Sequence, residues 1–256
     1  MSITIFPIPA FKDNYIWAWL DASSKNVWVV DPGAAQPVID ILNKKNLKLA
    51  GILLTHHHFD HSGGVEELIH HSKNIPVYAS HRSSVRGVTH YVKEQDEIIC
   101  SPFRLRVLEI PGHTLDHVAY YNDDVLFSGD TLFSAGCGRV FEGTISQMYD
   151  SLNKLAQLSS STWMYCGHEY TQANLQFARL VEPNNANIMS KLEEVDALRL
   201  RQEPTLPSML REEKTFNPFL RCEVLEVREA AEKYVGYRLD NPVQVFEVIR
   251  DWKNTV

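Results

Sequence analysis

The sequence predicts an α/β domain that carries a metal site, followed by a helical appendage. Three observations lead there. Up to about residue 169, apolar runs of strand length alternate with helical spacings and turn signals. Beyond that point, four stretches keep helical periodicity and no convincing strand is visible. All 11 histidines fall between His56 and His168, so none lies in the final helical stretch. The expected division is 1–169 for the metal-bearing domain and 170–256 for the helical one.

Taken in order, Ile3 to Pro9, Tyr15 to Leu20 and Val27 to Asp31 read as strands, separated by turn signals at Lys12-Asp13-Asn14 and Ser23-Ser24-Lys25-Asn26. Pro37 to Asn46 has helical spacing in Val38, Ile41 and Leu42. The apolar run from Ala50 to Leu54 reads as a central strand, and Gly64 to His71 as a short helix with Val65, Leu68 and Ile69 inward. Phe103 to Ile110 alternates like a strand. Val118 to Tyr121 and Val125 to Ser128 form the arms of a hairpin about Asn122-Asp123-Asp124. Met148 to Leu158 is helical and Thr162 to Cys166 is a last strand. Helices follow at Ala173 to Val181, Asn187 to Gln202, Val224 to Val235 and Val243 to Lys253, punctuated by Pro204, Pro207 and Pro218.

Composition bounds the function. With 256 residues, 44% apolar and 22% charged, the chain has ample material for a core. A net charge of -7 argues against a general nucleic-acid binder, which needs a basic field. Met1 to Leu20 lacks a basic start and is broken by Lys12, Asp13 and Asn14, so neither a signal peptide nor a membrane span is expected. Cys100, Cys137, Cys166 and Cys222 show no CxxC spacing, which disfavours a disulfide framework and points to a reducing cytoplasm.

The informative stretch is Thr55-His56-His57-His58-Phe59-Asp60-His61, directly after the central strand. Four imidazoles and a carboxylate in six residues make no sense as packing, because their ring nitrogens could not all find partners in a core. Neutral imidazole is the commonest metal ligand. If the chain stays extended past Leu54, His56 and His58 point one way and His57 the other, with Asp60 and His61 at the turn into the helix. His113, Asp130 and His168 repeat the pattern: each is a ligand type just past an apolar run, and each follows a glycine that permits close backbone approach. His56, His58, Asp60, His61, His113, Asp130 and His168 make seven donors, more than one tetrahedral ion needs. They divide into two sets of three with Asp130 bridging. Two ions roughly 3.5–4 Å apart would fit a metal-activated water between them. His57 and His117 fall outside the ligand set, and His70, His71, His81 and His90 are expected to be exposed and idle. Asp31 either orients an imidazole or simply forms the turn.

The Thr-His-x-His-x-Asp-His motif, with His113, Asp130 and His168, resembles the metallo-β-lactamase superfamily. Within it the chain is similar to the glyoxalase II family, the hydroxyacylglutathione hydrolases. That narrower resemblance runs through Asp13-Asn14-Tyr15, Val30-Asp31-Pro32-Gly33, Gly129-Asp130-Thr131-Leu132-Phe133, Gly136-Cys137-Gly138-Arg139, Phe141-Glu142-Gly143, Gly167-His168-Glu169-Tyr170-Thr171 and Arg250-Asp251-Trp252-Lys253. It implies a four-layer αβ/βα sandwich with a C-terminal helical, substrate-binding domain. It places His56, His58 and His113 on one ion and Asp60, His61 and His168 on the other. Asp60 and Asp130 become the expected catalytic carboxylates, and Arg139, Tyr170, Arg250 and Lys253 the glutathione contacts. Two departures stand out: Asp116 occupies a position where many members have glycine, and Phe141 one where some have tyrosine.

The resemblance implies hydrolysis of S-(2-hydroxyacyl)glutathione thioesters, chiefly S-D-lactoylglutathione, by a hydroxide bridging two divalent ions. Zinc is the expected metal, with iron and manganese compatible with the same donors. A thioester suits such a site, since a thiol of pKa about 8.5 departs as thiolate whereas an amide nitrogen needs a proton. Other superfamily activities, such as a lactonase or a glutathione persulfide dioxygenase, are the competing enzymatic readings, and a turnover-free metal-binding protein is the non-enzymatic one. Each substrate contact also has a plainer reading. Arg250 and Lys253 could be a solvated terminal face, Tyr170 core packing, and Arg139 part of a loop that acts through its backbone. A cytoplasmic monomer with a small-molecule substrate, no nucleic acid and no membrane is the remaining expectation.

Overall fold

The computed structural model describes residues 4–21 and 24–256. Ile3 of the first expected strand and Ser23 of the second turn lie outside the described residues. One sheet is built in chain order from β1 (Thr4–Ala10), β2 (Asn14–Asp21), β3 (Asn26–Val30), β4 (Lys48–Leu53), β5 (Val77–Ser80) and β6 (His90–Val92). Its first three strands are antiparallel and the rest parallel. A second sheet contains β7 (Glu97–Cys100), β8 (Phe103–Glu109), β9 (Val118–Tyr121) and β10 (Val125–Gly129). A separate hairpin is made by β11 (Leu132–Phe133) and β12 (Gly136–Cys137). The second sheet is completed by β13 (Trp163–Cys166), parallel to β10, and by β14 (Ser208–Met209), antiparallel to β13 at the edge.

Strict alternation explains why the sheets stack face to face. Tyr15, Trp17, Trp19, Trp28, Val30 and Leu53 point into the core shared with the second sheet, which supplies Leu105, Val107, Tyr120 and Phe127. Their neighbours Ile16, Ala18, Val27, Val29, Ile52 and Leu54 face the other way. That outer face packs against Val38, Ile39 and Leu42 of α1 (Ala35–Lys45) and Val65 and Leu68 of α3 (Val65–Ser72), which follows the single-turn α2 (Phe59–Ser62). The outer face of the second sheet is covered by Met148, Leu152 and Leu155 of α4 (Ile145–Ala156), whose start is fixed by a Thr144–Gln147 capping box. The expected four-layer order, helix–sheet–sheet–helix, is therefore present.

The last third contains α5 (Thr171–Val181), α6 (Ala186–Leu200), α7 (Leu210–Phe216), α8 (Leu225–Val235) and α9 (Pro242–Asn254), with a 3₁₀ turn at Pro218–Leu220. Two expectations need correction. The stretch after residue 169 does contain a strand, β14, which extends the sheet of the preceding part. It also contains α7, which the prolines around it hide. Glu213 of α7 is fully buried and accepts from Ser134 Oγ, Ala135 N, Ser208 Oγ and Asn217 Nδ2. Asn217 Nδ2 also donates to the carbonyls of Phe133 and Gly136. The helical part thus grips the β11–β12 hairpin, which leads into Gly138 and Arg139. No helix among the described residues is long and apolar enough to cross a membrane. All four cysteines are free and buried.

Candidate metal centre

The loops that leave β4, β8, β10 and β13 converge on one point. His56 and His58 lie on one side of the extended segment after β4, as period-two alternation demands, and His57 on the other. His56 Nε2 is 3.1 Å from His58 Nδ1, which is 3.0 Å from His113 Nε2. Beside them, His61 Nε2 lies 3.3 Å from His168 Nε2 and 3.5 Å from Asp60 Oδ2. Asp130 reaches both sets: Oδ1 is 3.3 Å from His61, and Oδ2 is 3.2 Å from His168 and 3.6 Å from His113. All seven expected donors are brought together.

The supporting hydrogen bonds fix which nitrogen of each ring faces inward. His113 Nδ1–H donates to the Arg139 carbonyl at 2.8 Å, His61 Nδ1–H to Asp31 Oδ2 at 3.0 Å, and His168 Nδ1–H to Asp13 Oδ1 at 2.8 Å. Thr55 Oγ1 donates to Asp31 Oδ2, so it accepts from His56 Nδ1–H. Asn14 Nδ2 donates to Asp60 Oδ2 at 3.0 Å. His117 stacks on His56 and accepts the Asp130 backbone N–H at 3.1 Å. Gly167 is needed for space, because a Cβ there would lie 2.6 Å from both Asp130 Oδ1 and His61 Cε1.

In the first set this leaves inward-facing lone pairs 3.0–3.1 Å apart with no hydrogens between them. Such an arrangement is repulsive unless a cation sits among the donors. Zn–N bonds of about 2.0–2.1 Å in tetrahedral geometry place ligand atoms about 3.3 Å apart, so the donor spacing fits. Asp130 Oδ1 is buried and has no hydrogen-bond partner among the described residues, as expected of an oxygen meant for an ion. Burial, reinforced by neighbouring imidazoles, holds His56 well below the ordinary imidazole range; burial also lowers His58 and His113. Those three are neutral, the state a metal requires. Burial opposes charge on His61 and His168 too, but the negative charge of Asp130 outweighs it, raising His61 well above the ordinary range and His168 to about 10. The hydrogen bond from His168 pulls the Asp60 carboxyl below its usual range. Without an ion, this second set behaves as carboxylate–imidazolium pairs.

Tyr170 stacks on His168 at 4.7 Å between centroids and packs edge-on against Phe133. Burial raises its hydroxyl, as do Asp13, Asp130 and Asp60, while Arg139 lowers it. The Arg139 side chain is exposed, and the Arg139 carbonyl serves His113. Arg250 is buried rather than solvated: its guanidinium donates to the Cys137 carbonyl at 2.7 Å and to Asn254 Oδ1 at 3.2 Å, and Nε is unpaired. Lys253 lies over the Phe177 ring; burial, Arg250 and Arg139 together depress its pKa. Of the two departures, Phe141 is exposed, with its ring 5.2 Å from that of His113 and 5.8 Å from that of His58. Asp116 turns onto His57. His81 is exposed but not idle, being 3.3 Å from Glu109. In the sequence, Asp13, Asn14 and Thr55 enter only as members of motifs, with no individual role, and His117 only as a residue outside the ligand set.

Two family models match, and together they span nearly the whole chain. One, described as the metallo-beta-lactamase superfamily, covers residues 13–168, and the other, the hydroxyacylglutathione hydrolase C-terminus, covers 169–256. Hydroxyacylglutathione hydrolase of Alkalilimnicola ehrlichii is 51% identical over 98% of both chains, and that of Hahella chejuensis 47% over 98% of both. Among solved structures, ETHE1 from Myxococcus xanthus shares the fold with TM-score 0.67 at 22% identity, over 98% of this chain and 91% of that one. TTHA1623, crystallised in a di-iron-bound form, matches at 26% identity and TM-score 0.53 over 64% of this chain and 91% of its own. The chain belongs to the hydroxyacylglutathione hydrolase family of the metallo-β-lactamase superfamily.

Proposed function

We propose that this metal-dependent hydrolase cleaves S-(2-hydroxyacyl)glutathiones, chiefly S-D-lactoylglutathione, to the 2-hydroxy acid and glutathione. The relatives that match over nearly its full length bear that activity in their name. His56, His58 and His113 would hold one divalent ion, and Asp60, His61 and His168 the other, with Asp130 shared. Zinc is the proposed resident metal, although TTHA1623 holds iron. When bound, the ions supply a water acidic enough to be deprotonated near pH 7 and positive charge for the carbonyl oxygen of the scissile bond.

The chain's own residues do the rest. Asp130 and Asp60 would supply two negative charges to balance the ions. Asp31, Asp13, Thr55 and the Arg139 carbonyl hold the ring tautomers that present lone pairs inward. A thiolate leaving group of pKa about 8.5 needs no dedicated acid. Glutathione carries two carboxylates, and Arg139, Arg250 and Lys253 are the proposed clamp: Arg250 bonds the carbonyl of Cys137, two residues before Arg139, and shares its helix with Lys253. The convergence of the seven donors, in a chain whose helical C-terminus matches the hydroxyacylglutathione hydrolase model, is the observation that carries the reading. Tyr170, stacked on His168, would contact the peptide.

Residues 1–169 would form the metal-binding domain and 170–256 the substrate-binding one, a division supported by the meeting point of the two family matches. A cytoplasmic monomer completes the proposal. The test is a substrate panel. S-D-lactoylglutathione should be turned over with kcat/KM at least about tenfold above a lactoyl thioester of N-acetylcysteamine, which lacks both carboxylates. Equal efficiency for both, or oxygen uptake with glutathione persulfide in place of thioester hydrolysis, would reject the assignment.

A further inference from the structure

His57 turns away from both donor sets and faces two carboxylates. Its Nδ1 is 2.9 Å from Asp116 Oδ1, and its Nε2 is 3.3 Å from Glu142 Oε1. One donor atom from each of the three residues lies within 4.8 Å of the others. Asp116 Oδ1 also accepts from Thr114 Oγ1, and Glu142 Oε2 accepts the Leu115 backbone N–H. Asp116 Oδ2, however, is buried on a side chain only 6% exposed and has no hydrogen-bond partner among the described residues. A buried carboxylate oxygen without a donor is an unsatisfied acceptor, which native structures pair with a donor, a water or an ion.

The three residues come from three separate loops: the donor segment after β4, the turn between β8 and β9, and the loop before α4. Phe141 and Glu142 of the last loop already bond through their backbone N–H groups to the His113 carbonyl. An ion here would cross-link the edge of the catalytic centre without using any of its seven donors.

We propose that His57, Asp116 and Glu142 form a third divalent-cation site, on the outer wall of the centre. It would bind through one imidazole nitrogen and two carboxylate oxygens, with water completing the shell. One nitrogen and two oxygens suit a borderline cation such as zinc rather than calcium or magnesium. Three protein ligands, two of them partly exposed, make this site weaker than the seven-donor centre, so it fills last. The inference does not depend on the substrate.

The experiment is equilibrium dialysis of the zinc-loaded protein against rising free zinc, with elemental analysis of wild type, Asp116→Gly and Glu142→Gln. Wild type should take up a third equivalent beyond two tight ones. Both variants should bind that third ion at least about tenfold more weakly while retaining the two tight ions and an unchanged circular dichroism spectrum. Glu142 is on the surface, so its variant tests the site even if Asp116→Gly fails to fold. Saturation of wild type at two equivalents would overturn the proposal and leave a protonated His57 as the partner of both carboxylates. A third equivalent of undiminished affinity in Glu142→Gln would overturn it as well.

Discussion

Replacing Asp31 by asparagine isolates the role of one carboxylate that touches no proposed metal. Asp31 Oδ1 accepts from Thr55 N, while Oδ2 accepts from both Thr55 Oγ1 and His61 Nδ1. The residue sits at φ 54°, which asparagine tolerates as well as aspartate, so the backbone is not the variable. An asparagine oxygen must stay on Thr55 N–H, which puts the amide NH₂ against Thr55 Oγ1 and His61 Nδ1. The hydroxyl can accept instead of donate and still leave a lone pair for His56. His61 cannot adjust without cost: its Nδ1 must become the acceptor, which moves the proton to Nε2, the atom that faces Asp130 and His168. Loss of such a supporting partner typically weakens a metal about 10–100-fold, or roughly 1.4–2.8 kcal/mol. Chelator competition with elemental analysis should show one ion per chain released early and the other held as in wild type. If Asp31→Asn retains both ions with wild-type affinity, the tautomer argument is wrong.

Two further outcomes follow from the geometry. Lys253→Ala should raise KM for glutathione thioesters about 10–100-fold with kcat nearly unchanged, since a charge-assisted hydrogen bond is worth about 1.5–3 kcal/mol; steady-state kinetics that show a kcat loss instead would remove Lys253 from the binding role. Burial raises the Glu213 carboxyl above its ordinary 4.5, so its stabilising contribution is full below that value and is lost as pH rises through the folded one. Wild type should therefore lose stability relative to Glu213→Gln between pH 4.5 and neutrality, measured by urea unfolding, and a constant difference would contradict this.

The sequence shows the donors because imidazoles and carboxylates crowded past strand ends cannot be explained by packing. The strands from β1 to β4 are visible for a related reason: Trp17 and Trp19 alternate with Ile16 and Ala18, and both faces are buried. What escapes is whatever depends on distant partners. Ser208–Met209 is two residues long and becomes a strand only by pairing with β13. Glu213, in the charged run Arg211-Glu212-Glu213-Lys214, is buried because Ser134, Ala135 and Asn217 come to it. Asp13 meets His168 across 155 residues of chain, and nothing in its turn-like neighbourhood announces that. Arg250 is expected at glutathione, with a solvated terminal face as the plainer reading, yet its guanidinium lies over the Phe219 ring and is tied to the Cys137 carbonyl.

The most direct test of the dinuclear hydrolase account is to follow thioester turnover and metal content together as the ions are stripped and restored. Two tightly held divalent ions per chain, with S-D-lactoylglutathione hydrolysis lost on chelation and regained as both are returned, is the predicted result. Full turnover by protein from which the metal has been removed, or fully loaded protein inert toward the thioester, would contradict it.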